Sequence, residues 1–142
     1  MWNWTKNRTR RAIADDPKQA RVLLVTRDPE YRTHWQQVFT THAWELASVE
    51  TLAQAVVAQQ TQAFPVVVYD CNSEAENWQD VLNALRKAPQ APCVLLTSNV
   101  IDESFRDEVV RLHGYDVLSR HADEDELTRT INSAWFWKHH HA

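Results

Sequence analysis

Asp70 ends an apolar run, VVVY (66–69), and a polar segment, CNSEAEN (71–77), follows it. A carboxylate at the mouth of a buried run can serve as a nucleophile or hold a cation; in its plainest role it caps a helix or ends a strand. Three other apolar runs end in polar groups of the same kind. RVLLV (21–25) leads into Thr26, Arg27 and Asp28; CVLLT (93–97) ends at Thr97 and is followed by Ser98; YDVLS (115–119) leads into Arg120 and His121. Other chemistries find no support. Gly114 is the only glycine, so the glycine-rich loops that let backbone approach a phosphate are excluded. No Ser-His-Asp elbow is present, and none of the seven histidines has an evident nucleophile beside it in sequence. Two cysteines, Cys71 and Cys93, make neither a disulfide framework nor a zinc site.

The elements that must position these residues alternate. Each apolar run reads as a strand buried on both faces, and WELASV (44–49) supplies a fifth. Between them lie helical patterns. Asp28 and Pro29 suit the start of a helix carrying Tyr31, Trp35, Val38 and Phe39 on one face. Thr51 can cap a short helix with Leu52, Ala55, Val56 and Val57. Trp78, Val81, Leu82 and Leu85 form a third stripe; Asp102 opens a fourth with Phe105, Val109 and Leu112; a last helix from about Asp123 carries Leu127, Ile131, Ala134 and Trp135. Gly114 falls where a left-handed C-terminal residue is wanted.

Five strands alternating with five helices imply an α/β fold with a parallel sheet covered by helices on both faces. At 142 residues, one domain, the expected arrangement is the flavodoxin-like doubly wound sheet of order 2-1-3-4-5. Chemistry in such sheets gathers at the carboxyl ends of the strands, at the switch between the first and third. Thr97 should lie level with Asp70. Cys93 then sits four residues lower, about 13 Å from Asp70 at strand rise, which argues against a Cys71–Cys93 disulfide.

With LLVTRDPEYR, VVVYD, LLTS and GYDVLSRH in this order, the chain resembles the response-regulator receiver family over roughly residues 20–138. The resemblance implies a stand-alone module of phosphorelay, or two-component, signalling. Asp70 would be the phospho-acceptor, attacking a phosphoryl donor to give an acyl phosphate. Thr97 would be the hydroxyl that contacts the phosphoryl group, and Arg120 would occupy the place of the family's lysine. Mg²⁺ would bind Asp70 and the backbone carbonyl of Asn72. Such a domain is not an enzyme beyond autophosphotransfer to Asp70.

Several positions depart from the family. Its two acidic residues after the first strand are Thr26 and Arg27 here, with Asp28 one place further on and expected to point elsewhere or cap the helix. Mg²⁺ needs several oxygen ligands, so metal affinity should fall sharply. Arginine at 120 keeps the charge but not the compact shape of lysine. His121 replaces a proline whose preceding bond is usually cis; without proline that bond costs about 2.5–4 kcal/mol, so a reshaped loop is expected. Val117 stands at the aromatic switch position. Arg27 and Arg120 are both expected to pair with Asp70, as fixed charges in place of metal and lysine. The alternative function is therefore a degenerate, phosphorylation-independent pseudo-receiver that acts as an interaction module. A flavin-binding electron carrier of the same fold is the rival from another class, and TRDPEY (26–31) is not the phosphate loop it needs.

The surface completes the reading. Net charge is −4, which disfavours nucleic acid as a partner. No apolar run reaches the roughly 18 residues of a membrane span, and no export segment is evident, so a cytoplasmic location is expected. Residues 1–20, with Lys6, Arg8, Arg10 and Arg11, read as a flexible basic arm, and 139–142 as a frayed histidine-rich tail. Trp35, Trp78 and Trp135 fall on core stripes, and Trp44 should be half-buried. Trp2, Trp4, Phe136 and Trp137 do not, and exposed aromatics favour a partner surface. The resemblance points Phe136 and Trp137 to a face used for dimerisation or output, toward a histidine kinase, a downstream signalling protein or a second copy.

Overall fold

The computed structural model describes residues 20–73 and 77–141. The arm with Trp2 and Trp4 lies outside the described residues. Five strands alternate with five helices: β1 (Arg21–Val25), α1 (Pro29–Thr41), β2 (Glu45–Val49), α2 (Leu52–Gln62), β3 (Val66–Asp70), a 3₁₀ turn (Cys71–Ser73), α3 (Trp78–Arg86), β4 (Cys93–Ser98), α4 (Glu103–Arg111), β5 (Asp116–Ser119) and α5 (Glu124–His141). The sheet runs β2-β1-β3-β4-β5 with every pairing parallel. This is the expected 2-1-3-4-5 order.

The apolar runs form strands because both of their faces are covered. All five residues of central β3 are buried, whereas edge strand β2 is only partly so. Alternate residues serve two cores. Val22, Leu24, Val66, Val68 and Leu95 face α1 and α5, where they meet Trp35, Phe39, Ile131 and Trp135. Leu23, Val25, Val67, Tyr69 and Leu96 face the other side, against Ala55 of α2, Leu82 and Leu85 of α3 and Val109 of α4. The register sets Asp70 opposite Thr97, so the polar residues that end the strands share one edge.

Helix starts follow the capping chemistry. The Asp28 Oδ1 accepts from the N–H groups of Glu30 and Tyr31. Thr51 and Gln54 form a reciprocal capping box, and Asp102 accepts from the Phe105 N–H at 2.8 Å.

Two local expectations are corrected. In α2 the inward stripe is Ala55 and Gln59, while Val57 is exposed. Gln59 is fully buried because its side-chain amide donates to the Phe64 carbonyl and accepts from the Phe64 N–H, satisfying both backbone groups of the turn into β3. After α4 the left-handed residue is His113 (φ 75°), and Gly114 has no positive φ. Glycine is needed at 114 for space: a Cβ there would lie 2.6 Å from Val109 Cγ1. At the C-terminal end, α5 continues through His141. There His139 lies tilted against Trp135 and His140 stacks on Phe136, with ring centroids 4.0 and 3.9 Å apart.

Candidate functional site

The carboxyl edge of the sheet gathers side chains from four connections around Asp70. Asp70 is 1% exposed, and both of its carboxylate oxygens are engaged. Oδ1 accepts from the Arg120 Nε (2.9 Å), the Asn72 backbone N–H (3.1 Å) and the Thr97 hydroxyl (3.3 Å). Oδ2 accepts from the Thr26 hydroxyl (2.8 Å) and Arg120 Nη2 (3.0 Å). Five donors thus meet a group with about four lone-pair sites.

Arg120 is the central cation. Its backbone N–H donates to the Ser98 carbonyl, which continues the β4–β5 pairing and fixes where the side chain leaves the sheet. The guanidinium then reaches across β4 to grip Asp70 with two nitrogens, the fork geometry that an ammonium cannot reproduce. The same Nη2 lies 3.0 Å from Asp28 Oδ2. Below it, the Tyr31 ring stacks on the guanidinium with its centroid 4.1 Å from Cζ. Burial works against the charge of Arg120, but the hydrogen bonds to Asp70 and Asp28 outweigh it and raise its pKa above the ordinary value. The hydrogen bond from Arg120 is also the main cause that lowers the Asp28 pKa, helped by the Tyr31 N–H. Burial raises the pKa of the Tyr31 phenol.

The structure therefore brings the sequence-derived residues together at one edge. Thr26, read as a lost acidic position, is fully buried and donates to Asp70; it also accepts from the Asp28 N–H at 3.1 Å. Asp28 does not point elsewhere: one oxygen caps α1 and the other faces Arg120. Arg27 is exposed and lines the cleft with Asp28, Asp70, Asn72 and Arg120, in a volume of about 370 Å³. The ion pair on Asp70 is made by Arg120. Among the described residues every peptide bond is trans, including the one before His121. Tyr31 was read only as a core residue. The signal for its second role was its place one turn into α1, three residues after Asp28, on the buried face.

Phe136 and Trp137 lie far along α5 and remain 57% and 43% exposed. Trp137 leans on Tyr115, with centroids 6.0 Å apart. Val110 of α4, also exposed, lines with Trp137 and Tyr115 a groove of about 510 Å³. Among the described residues no helix is long and apolar enough to cross a membrane.

The sequence matches no protein-family model and no curated protein. Solved structures share its fold. The signal receiver domain of a putative Luxo repressor protein from Vibrio parahaemolyticus superposes with a TM-score of 0.77 at 16% identity, covering 85% of this chain and 93% of that one. The receiver domain of a sensor histidine kinase from Pseudomonas aeruginosa PAO1, with a magnesium ion coordinated in its active-site cleft, gives 0.71 at 16% identity over 83% of this chain and 98% of its own. The receiver domain of the Saccharomyces cerevisiae response regulator Ssk1, crystallised with the phosphotransfer protein Ypd1, gives 0.74 at 9% identity over 84% and 91%. The fold is that of receiver domains, a CheY-like doubly wound sheet.

The described residues of this cleft do not fit a magnesium ion. Magnesium needs near-octahedral oxygen ligands at about 2.0–2.1 Å. Both oxygens of Asp70 are already occupied by donors, and Asp28 is shared between the α1 cap and Arg120. Among the described residues no group of three or more His, Cys, Asp or Glu side chains is placed to hold a metal.

Proposed function

We propose that this chain is a receiver-type signalling module that acts by binding a protein partner, with its Asp70 site held in a single state by Arg120 instead of by phosphorylation. The observation that carries this reading is the two-pronged hydrogen bond from Arg120 to Asp70, at 2.9 and 3.0 Å. Attack on a phosphoryl donor needs a carboxylate oxygen with a free lone pair and an approach path. Here Arg120, Thr26, Thr97 and the Asn72 N–H fill those positions. The module is therefore not an enzyme, and its output lies in its surface. Phe136 and Trp137 are the proposed partner-facing residues, and a second copy of the chain is one partner they could meet.

The competing reading keeps Asp70 as a phospho-acceptor. Its support is the retention of an aspartate, a hydroxyl and a cation at the carboxyl edge, with Asp70 and Thr97 in register. Intact-protein mass spectrometry after incubation with acetyl phosphate and Mg²⁺ separates the two, with Asp70→Asn as control. The expected result is an unchanged mass. An adduct of about 80 Da, absent from the Asp70→Asn protein, would make Asp70 an acceptor and reverse the reading.

A further inference from the structure

Arg120 occupies a particular point in the cleft. Its Nη2 lies 3.0 Å from Asp28 Oδ2 and 3.0 Å from Asp70 Oδ2, so one nitrogen bridges two carboxylates from different connections. A bridging point between two carboxylates is where a hard divalent cation gains most from charge. A guanidinium there supplies one fixed positive charge that cannot be lost by deprotonation. The Tyr31 ring beneath it holds the group in place, and the Arg120 side chain is only 14% exposed. Arg27 is exposed and lines the same cleft.

We propose that the Arg120 guanidinium is the resident cation of this site, standing between Asp28 and Asp70 where a divalent ion would have to bind, so that the native chain rejects divalent cations and removal of the guanidinium leaves a latent divalent-cation site. The inference rests on the closed-site reading above and adds its cause. An incoming ion must displace a side chain tied by hydrogen bonds to two carboxylates and stacked on an aromatic ring. With Arg120 shortened, Asp28 and Asp70 are left facing a cleft with no bridging charge. Magnesium keeps several of its waters when it binds protein, so two carboxylates are a sufficient start for a site.

The test is calorimetric titration of the full chain with Mg²⁺, a hard ion chosen because imidazoles such as His139 and His140 hold it poorly. The native chain is expected to show no saturable binding. Arg120→Ala is expected to gain saturable binding of one equivalent, and Arg120→Ala with Asp28→Asn to lose that binding. Arg120→Gln, which keeps more of the side-chain volume, should behave as Arg120→Ala does. Saturable binding of Mg²⁺ by the native chain, lost in its Asp28→Asn variant, would overturn the inference. So would a folded Arg120→Ala protein that binds none. If Arg120→Ala and Arg120→Gln are unfolded in EDTA, refolding of either on addition of Mg²⁺ supports the inference, and failure of both to refold overturns it. The closed-site reading fails by a different result, a phosphoryl adduct on the native chain, so the two failures are distinct.

Discussion

Arg120, at the end of β5, holds both carboxylate oxygens of Asp70, at the end of β3, across the intervening strand β4. The pair joins connections that are 50 residues apart in sequence. Asp70 is buried, so losing its partner leaves an uncompensated charge. Arg120→Met is expected to destabilise the protein by about 3–5 kcal/mol, the usual cost of breaking one side of a buried pair. Arg120→Lys should cost less, about 1–3 kcal/mol, because the charge stays and the fork is lost. Urea denaturation of the two variants checks the ranking. Combining Arg120→Met with Asp70→Asn should cost less than the sum of the single changes.

The pH dependence isolates the outer half of the same contact. Arg120 lowers the Asp28 carboxyl below its ordinary value of 3.8. A lowered folded-state pKa means that the unfolded chain takes up its proton first as pH falls. The stabilisation is therefore present above the unfolded value and is lost as pH drops through the folded value, below 3.8. Asparagine caps helices about as well as aspartate, so Asp28→Asn removes the charge while sparing the α1 cap. Native protein should melt higher than Asp28→Asn near neutral pH. The gap should be small, since the Asp28 side chain is 40% exposed, and it should close in the acid range. Melting curves from neutral pH down to about pH 2.5 follow it; a gap that persists in acid would show that the advantage comes from elsewhere.

The contrast between what was readable and what was not has a physical pattern. The strands were legible because parallel strands with both faces covered must be continuous apolar runs, as VVVYD is. Asp70, Thr97 and Arg120 were legible as a group because strand ends in a parallel sheet share an edge. The type of Thr26 marked a replaced carboxylate, but that its hydroxyl donates to Asp70 depends on where the end of β1 lies beside β3. Asp28 was half-read, since a carboxylate has two oxygens and capping uses only one. Tyr31 was legible as a residue on the buried face one turn into α1, three places after Asp28; that the Arg120 guanidinium lies over its ring depends on the tertiary fold. Gln59 breaks the apolar stripe of α2 because a buried amide that satisfies Phe64 at both ends does the work of an apolar residue there.

Gly114 offers a test of packing apart from the site. A methyl group added there would meet Val109 Cγ1 at 2.6 Å, the Val109 carbonyl at 3.1 Å and Leu82 Cδ2 at 3.2 Å. Backbone and core side chains crowd the position together. Gly114→Ala is expected to destabilise by about 1–3 kcal/mol through overpacking. Shortening the nearest neighbour should relieve part of the clash, so Gly114→Ala with Val109→Ala should cost less than the sum of the two. Strict additivity in chemical denaturation would mean that the strain is carried by the backbone contact instead.

The thiols report on the integrity of both ends of the sheet. Burial pushes the Cys71 thiol up to about 12, with the neighbouring Asp70 charge adding to it. Burial likewise pushes the Cys93 thiol up to about 12, against the opposing pull of Lys138. The thiolate is the reactive form, and a thiol with a pKa near 12 is ionised to only about one part in ten thousand at pH 8. Both cysteines should therefore react slowly with a disulfide reagent in the native protein and rapidly in urea. Cys71 follows Asp70 directly, so Arg120→Met, if it loosens the carboxyl edge, should speed the labelling of Cys71 while leaving Cys93, at the opposite end of β4, unchanged. Equal acceleration of both thiols would indicate global destabilisation, and would separate that effect from a local opening at Asp70.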